Sequence, residues 1–378
     1  MKFALFLGNT GHDSGGPEVY ETELVRALAK LETREEFHLL CLFPKAPEII
    51  GVEQENFTYH LLRPQSRVIS MSLTLPYMRS RIAPDSLHST FIPAPLASHR
   101  HLMTLVCMSM FERPELYPAL IRWRLQTLTS IGIRSSKLIL CVSEMVKERA
   151  KEHFKLSEER MMVVPLGVHP RFRCRTSEEV AGYLACQQIT DPYFLFCGRW
   201  EQRKNLLGII EAFAVFKRET KLSHKLVLTG KRTWIAPQAE SLIERLGLQG
   251  EVIDHGKTPI AELPLLYAGA EALVYASFYE SFGMPIIEAM ACGTPVITSN
   301  TTAMPEIAGG AALLVDPHST ESIASAMYRV ACDRSCTSAL RAAGLLRSRS
   351  FSWESTAKTT LDAYHRVATE KANIFARI

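Results

Sequence analysis

Residues 272–298, ALVYASFYESFGMPIIEAMACGTPVIT, decide the reading of the fold. The apolar run Ala272–Ala276 reads as a short buried strand. Ser277, Glu280, Ser281 and Gly283 mark a loop. Pro285 then opens a helix, where its missing N–H breaks no hydrogen bond. That helix carries Ile286, Ile287, Ala289 and Met290 as apolar positions and ends near Gly293. Val296–Thr298 forms a second strand. The order is strand, loop, helix, strand.

Two carboxylates, Glu280 and Glu288, flank the loop-helix junction. Between them, the N–H groups of Phe282, Gly283 and Met284 lead into a helix N-terminus. Such an end attracts anions through unpaired N–H donors and the helix dipole. Gly283 lets a ligand approach the backbone closely. Phosphate-binding N–H groups between two hydroxyl-binding carboxylates suit a sugar nucleotide, which is a diphosphate between two polyhydroxyl rings. The plain alternative is that both glutamates are solvated surface groups.

The 378 residues suggest two domains or one large one, and the net charge of +4 is too small to imply nucleic acid as a partner. The nine cysteines show no CxxC pair and no metal-ligand spacing. Cys41, Cys107, Cys141 and Cys197 sit in apolar runs, where a thiol acts as a small hydrophobe, as expected in a reducing cytoplasm. The apolar run in MKFALFLGNTG is too short for a signal peptide. No uncharged apolar stretch reaches the roughly 18 residues of a membrane span.

From the N-terminus, Phe3–Leu7 reads as a buried parallel strand closing at Gly8. The loop Asn9–Pro17 contains Gly11, Gly15 and Gly16, and a helix starts near Glu18. Strand, glycine loop and helix make an anion-binding corner or a simple turn, and the loop is not GxGxxG. Strands follow at His38–Phe43 and Phe57–Leu62. Between Arg63 and Lys137, ten basic residues, among them Arg67, Arg122, Arg124 and Arg134, face only Asp85, Glu112 and Glu115. Apolar residues interleave them, so this basic amphipathic surface suits peripheral contact with anionic lipid, an anionic acceptor, or plain solvation. Lone histidines here, His88, His99 and His101, read as structural rather than catalytic. Leu138–Val142 and Met161–Val164 are further strands, with a helix at Glu144–Phe154. Residues 171–190 show no periodicity, which places a domain boundary near residue 180.

The pattern then restarts. Tyr193–Cys197 is a strand, followed by a loop with Arg199, Arg203, Lys204 and Asn205, then a helix. Strands at Lys225–Thr229, Glu251–Asp254 and Ala312–Val315 alternate with helices, and helices close the chain. Alternation of this kind means parallel sheets with crossovers. The expected architecture is α/β: two Rossmann-like domains, 1–180 and 181–352, facing a cleft, with a C-terminal helix (353–378) packing back towards the first. Ligands bind outside the carboxyl ends of such strands.

With these elements in place, the chain resembles a retaining glycosyltransferase of the GT-B fold in the large family 4 grouping. The E-x7-E element is Glu280-SFGMPII-Glu288. The cation pair is Arg199 and Lys204 in GRWEQRKN, and the glycine loop is Ser14-Gly15-Gly16. The resemblance implies that the first domain binds the acceptor and the second the donor. Arg199 and Lys204 would hold the diphosphate, Glu280 would lie near the transferred sugar and Glu288 on the ribose. The N–H groups of Phe282, Gly283 and Met284 would serve phosphates and sugar, and Gly15 and Gly16 would close from the other domain. Fixed cations stabilise charge building on the departing diphosphate, which removes the need for a metal ion or cofactor. The implied reaction moves a hexose, mannose or glucose, from a donor such as GDP-mannose or UDP-glucose to a glycan or lipid-linked acceptor.

One departure stands out. Many relatives carry a His-Asp pair shortly before a segment like PELYP. Here PELYP is Pro114–Pro118, and the pair falls on Val106 and Cys107. Either His88 or His101 replaces the imidazole, or the chain is a degenerate sugar-nucleotide-binding subunit. A GT-B epimerase is a weaker alternative, and a phosphorylase would need a cofactor-bearing lysine with no context here.

Overall fold

The computed structural model describes residues 1–13, 15–66, 69–90 and 100–369. Ser14, Arg67 and His99 lie outside them. The chain forms two compact units, Met1–Gly167 with the chain from Ser352 onward, and Val168–Phe351. Each is built on its own parallel sheet.

The first unit carries β1 (Lys2–Leu7), β2 (Glu36–Cys41), β3 (Phe57–Leu61), β4 (Ser86–Thr90), β5 (His101–Leu105), β6 (Leu138–Cys141) and β7 (Met161–Val163). Their spatial order is β3-β2-β1-β4-β5-β6-β7. Apolar runs buried on both faces are what such a central parallel sheet requires, and five of the six β1 residues are buried. β4, SLHST, is fully buried although three of its residues are Ser or Thr and one is His. Its polarity hid it from periodicity. The fold accepts it because three of its four buried polar side chains, His88, Ser89 and Thr90, are hydrogen-bonded. His88 bonds Tyr364 Oη at 2.8 Å and Thr104 Oγ1 at 2.7 Å, while Ser89 Oγ lies 2.8 Å from His101 Nε2. Tyr364 comes from the helix Trp353–Thr369, which belongs to this unit and packs on the helix Gly16–Ala29.

The second unit carries β8 (Tyr193–Cys197), β9 (Lys225–Thr229), β10 (Val252–Gly256), β11 (Ala272–Tyr275), β12 (Val296–Ser299) and β13 (Leu313–Val315). Their order is β10-β9-β8-β11-β12-β13. The sequence of strands reverses direction between β8 and β11, so the loops leaving these neighbours flank the switch point where open α/β sheets bind ligands. The helix Leu206–Thr220 packs on the helix Thr320–Cys332 over an apolar core that includes Phe194, Phe213 and Met327.

Two expectations need correction. The units divide at Gly167/Val168, upstream of residue 180. The stretch without periodicity contains a helix, Ser177–Cys186, started by a capping box between Thr176 and Glu179. None of its residues is fully buried, so no apolar stripe announced it. The cap was the available signal.

Candidate active site

The site grows from two loops on adjacent strands. After β8 the chain runs Gly198 to Asn205 and enters the helix Leu206–Thr220. After β11 it runs Ala276 to Gly283 and enters the helix Met284–Ala291. Backbone and side chains join the loops: Phe278 N–H donates to the Arg203 carbonyl at 2.9 Å. The Asn205 amide donates to the carbonyls of Ala276 at 3.0 Å and Pro317 at 2.7 Å. Asn205 sits in the left-handed region, φ 56°, so it ends the loop sharply and aims the two preceding residues at β11. Gly230, at the end of β9, is needed because a Cβ there would lie 2.0 Å from the Gly198 carbonyl oxygen.

Glu280 is the centre of the constellation. Its carboxylate accepts from Arg203 Nη1 at 2.7 Å and Tyr275 Oη at 2.9 Å, and pairs with Lys204 Nζ at 2.7 Å. Lys204 also donates to the Tyr275 hydroxyl. The Glu280 N–H donates to Thr302 Oγ1 at 3.2 Å, which fixes its backbone to the loop after β12. Glu280 and Lys204 are both buried. Burial alone would raise the Glu280 pKa, but the Arg203 and Lys204 charges outweigh it and bring it to about 2. Burial pulls the Lys204 pKa down, with Glu280 opposing.

Arg199 is one ion pair further out. Its Nε lies 2.9 Å from Glu201 Oε1, and the other Glu201 oxygen lies 3.5 Å from Arg203 Nη2. The Arg199 side chain is about half exposed. The network Arg199–Glu201–Arg203–Glu280–Lys204 therefore sets three cations against two carboxylates. Such a site is short of negative charge, which a diphosphate would supply.

Glu288 lies in the second turn of the helix Met284–Ala291 and is buried. Tyr267 Oη donates to its Oε2 at 2.9 Å. Burial raises the Glu288 pKa to about 7, with Tyr267, Lys204 and Arg171 pulling the other way. Lys204 thus acts electrostatically on both carboxylates. At the helix start Gly283 has φ 99°, in the left-handed region that favours glycine. A Cβ there would meet Ile286 Cδ1 at 2.9 Å. Among the described residues, the N–H groups of Phe282, Gly283 and Met284 have no protein acceptor, so they stand ready for an anion.

The structure thus brings together Lys204, Glu280, Glu288 and the Phe282–Met284 turn, with Arg199 at the rim. Gly15 and Gly16 lie in the first unit. Gly15 has φ 71° and precedes the helix that Gly16 begins. The preceding loop is held by Glu21, which accepts from the Asn9 and Thr10 N–H groups at 2.9 Å each. The sequence places Arg203 in the loop but gives it no role, and gives none to Tyr275 or Tyr267. Tyr275 ends a buried strand at the sheet's carboxyl edge, and a hydroxyl there was a usable cue. Tyr267 carried none.

Neither His88 nor His101 supplies the imidazole. His101 bonds Ser89 and Ser136 through its two nitrogens, the second at 3.0 Å, and His88 is likewise occupied on both sides. Burial lowers both pKa values to about 3, so both rings are neutral parts of the core. Past β5, Cys107 Sγ lies 2.8 Å from Ser109 Oγ, which lies 2.5 Å from Tyr117 Oη.

Comparison with known proteins gives the class. A sucrose-phosphate synthase from Thermosynechococcus elongatus superposes with a TM-score of 0.80 at 20% identity, covering 97% of this chain and 99% of that one. An Anabaena protein, HepE, solved with UDP and glucose, gives 0.75 at 15% identity over 97% and 100%. The fold is GT-B. The family model for glycosyl transferases group 1 matches residues 187–344, and that for glycosyltransferase family 4 matches residues 14–172. The O-antigen chain mannosyltransferase B of Escherichia coli is 31% identical over 91% of this chain and 94% of its own length. The chain belongs to glycosyltransferase family 4, a family of glycosyl-transferring enzymes.

Proposed function

We propose that the chain transfers mannose from GDP-mannose to a growing glycan or a lipid-linked acceptor, with retention at the anomeric carbon and without a metal ion. The observation that carries this reading is the Lys204–Glu280–Arg203 cluster set beside the free N–H groups of the Phe282–Met284 turn. The choice of mannose follows the relatives, which include O-antigen chain mannosyltransferases of Escherichia coli and Salmonella typhimurium. A UDP-glucose donor is the second choice, because one solved structure of similar fold, that of HepE, holds UDP-glucose.

In this reaction Arg199 and Lys204 hold the diphosphate and Glu288 accepts from the ribose hydroxyls. Glu280 orients Lys204 and meets the transferred sugar. We assign Gly15 and Gly16 of the first unit to substrate binding. The anomeric C–O bond to phosphate breaks while the acceptor oxygen bonds the same face of that carbon. The acceptor proton passes to the departing phosphate oxygen, and the fixed cations stabilise the charge that develops there. No imidazole is required by this route. If the chain were instead a binding subunit without turnover, GDP-mannose would bind and stay intact.

The reading extends to a cytoplasmic protein that touches anionic lipid. No helix of the described residues is long and apolar enough to cross a membrane. On the helix Ala119–Ser135, Leu120 and Trp123 are 77% and 65% exposed beside Arg122 and Arg124, a surface suited to a membrane interface.

The deciding experiment supplies GDP-mannose and a mannose-terminated oligosaccharide in the presence of EDTA. The α-linked product is expected at an undiminished rate, with its configuration read from the anomeric NMR coupling. A β-linked product, or a rate abolished by EDTA and restored by Mg²⁺, would overturn retention or metal independence. Neither transfer nor hydrolysis from any donor would overturn the enzyme itself.

A further inference from the structure

The loop that carries Lys204 has a second wall. Arg203 and Lys204 turn onto Glu280, but their neighbour Gln202 lines a separate cavity of about 400 Å³ in the second unit. Its floor is apolar. One side is the Phe278 ring stacked on His318, with centroids 4.8 Å apart and planes at 25°. Trp234 stands at the rim and is 66% exposed. The remaining polar lining includes Gln202, Gln238 and Glu211, and no lysine or arginine is among the lining residues.

This chemistry selects its ligand. Glu211 and the absence of lysine and arginine from the lining offset the anion-favouring starts of the helices Leu206–Thr220 and Thr320–Cys332, which open on the same cavity, so no strong preference for a charged ligand is left. Large aromatic faces with few polar groups bind amphipathic ligands that offer an apolar face and a hydroxyl edge. A pyranose has both: the C–H face of its ring lies flat on an indole, while amides and a carboxylate bond its hydroxyls. The volume lies in the range of small-ligand sites. We infer that this cavity, built around Trp234, Phe278 and His318, is a second carbohydrate site that holds a neutral hexose unit of a glycan chain. The inference rests on the proposed function only for the choice of mannose. The site adjoins the loop that carries Lys204, because Phe278 N–H bonds the Arg203 carbonyl and Gln202 precedes Arg203.

The test titrates mannotriose into the full chain with the donor site filled by excess GDP. A saturable change in tryptophan emission and in ligand-observed NMR is expected. In Trp234→Ala, binding should weaken about ten-fold, the scale at which a well-packed aromatic contributes. Gln238→Ala should weaken it less. Both variants should hydrolyse GDP-mannose at the wild-type rate, since neither residue belongs to the catalytic network. Equal mannotriose affinity in wild type and Trp234→Ala, or no saturable binding in the wild type, would overturn the site. If GDP-mannose hydrolysis is present and mannotriose binding absent, this inference fails while the proposed function stands. If mannotriose binds through Trp234 and no donor is hydrolysed, the reverse holds.

Discussion

Replacing Glu280 by Gln keeps the shape of the side chain and removes its charge, leaving Arg203 and Lys204 facing each other without their shared carboxylate. The cost follows from the structure. A carboxylate that titrates at about 2 in the folded protein and near 4.5 when unfolded contributes about 3 kcal/mol at pH 7. Removing one member of a buried pair costs about 3–5 kcal/mol, which agrees. The sign is set by the depressed pKa: this contribution is present above pH 4.5 and is lost as pH falls towards 2. At pH 3.5 about 2 kcal/mol should remain. Urea unfolding of wild type and Glu280→Gln, read by fluorescence at both pH values, measures the difference. A loss under about 1 kcal/mol at pH 7 would show a solvated glutamate and refute the reasoning, as would a loss that does not shrink in acid.

Two further outcomes follow from the site and the surface. Burial raises the Glu288 pKa to about 7, so the folded state favours its neutral form. Its effect on stability therefore opposes that of Glu280: stability is lost as pH rises from about 4.5 to 7. A ribose hydroxyl bonds a carboxylate more strongly than a neutral carboxyl, so affinity for GDP-mannose, whose diphosphate diester does not titrate in this window, should rise between pH 6 and pH 8 in the wild type and stay flat in Glu288→Gln; the same pH profile in both would remove Glu288 from the ribose. Sedimentation with vesicles rich in anionic phospholipid should pellet the wild type at low salt, and Trp123→Asp should remain in the supernatant. Equal sedimentation of the two proteins would exclude the Ala119–Ser135 helix as the lipid contact.

The strands were legible where they are apolar. Tyr193–Cys197 and Lys225–Thr229 were read with their observed bounds, because strands buried on both faces are continuous apolar runs. β4 was not, since its Ser, His and Thr become core only through hydrogen bonds to residues distant in sequence, such as Thr104 and Tyr364. The same limit applies to the site. Gly283, Pro285 and the two glutamates announce a helix-end pocket by local pattern. The partnership of Arg203 with Glu280 crosses from one loop to another, and nothing in GRWEQRKN says which arginine turns inward. Asn205 decides that, by ending its loop in a left-handed turn locked to Ala276 and Pro317.

We propose that Lys204 and its neighbours grip the diphosphate of a nucleotide sugar. Calorimetric titration of GDP-mannose into wild type, Lys204→Ala and Arg199→Ala tests it most directly. Single-site binding is expected in the wild type, with binding weakened about ten-fold or more in Lys204→Ala and a smaller loss for the more exposed Arg199→Ala. Undiminished affinity in Lys204→Ala, with the variant still folded, would contradict it.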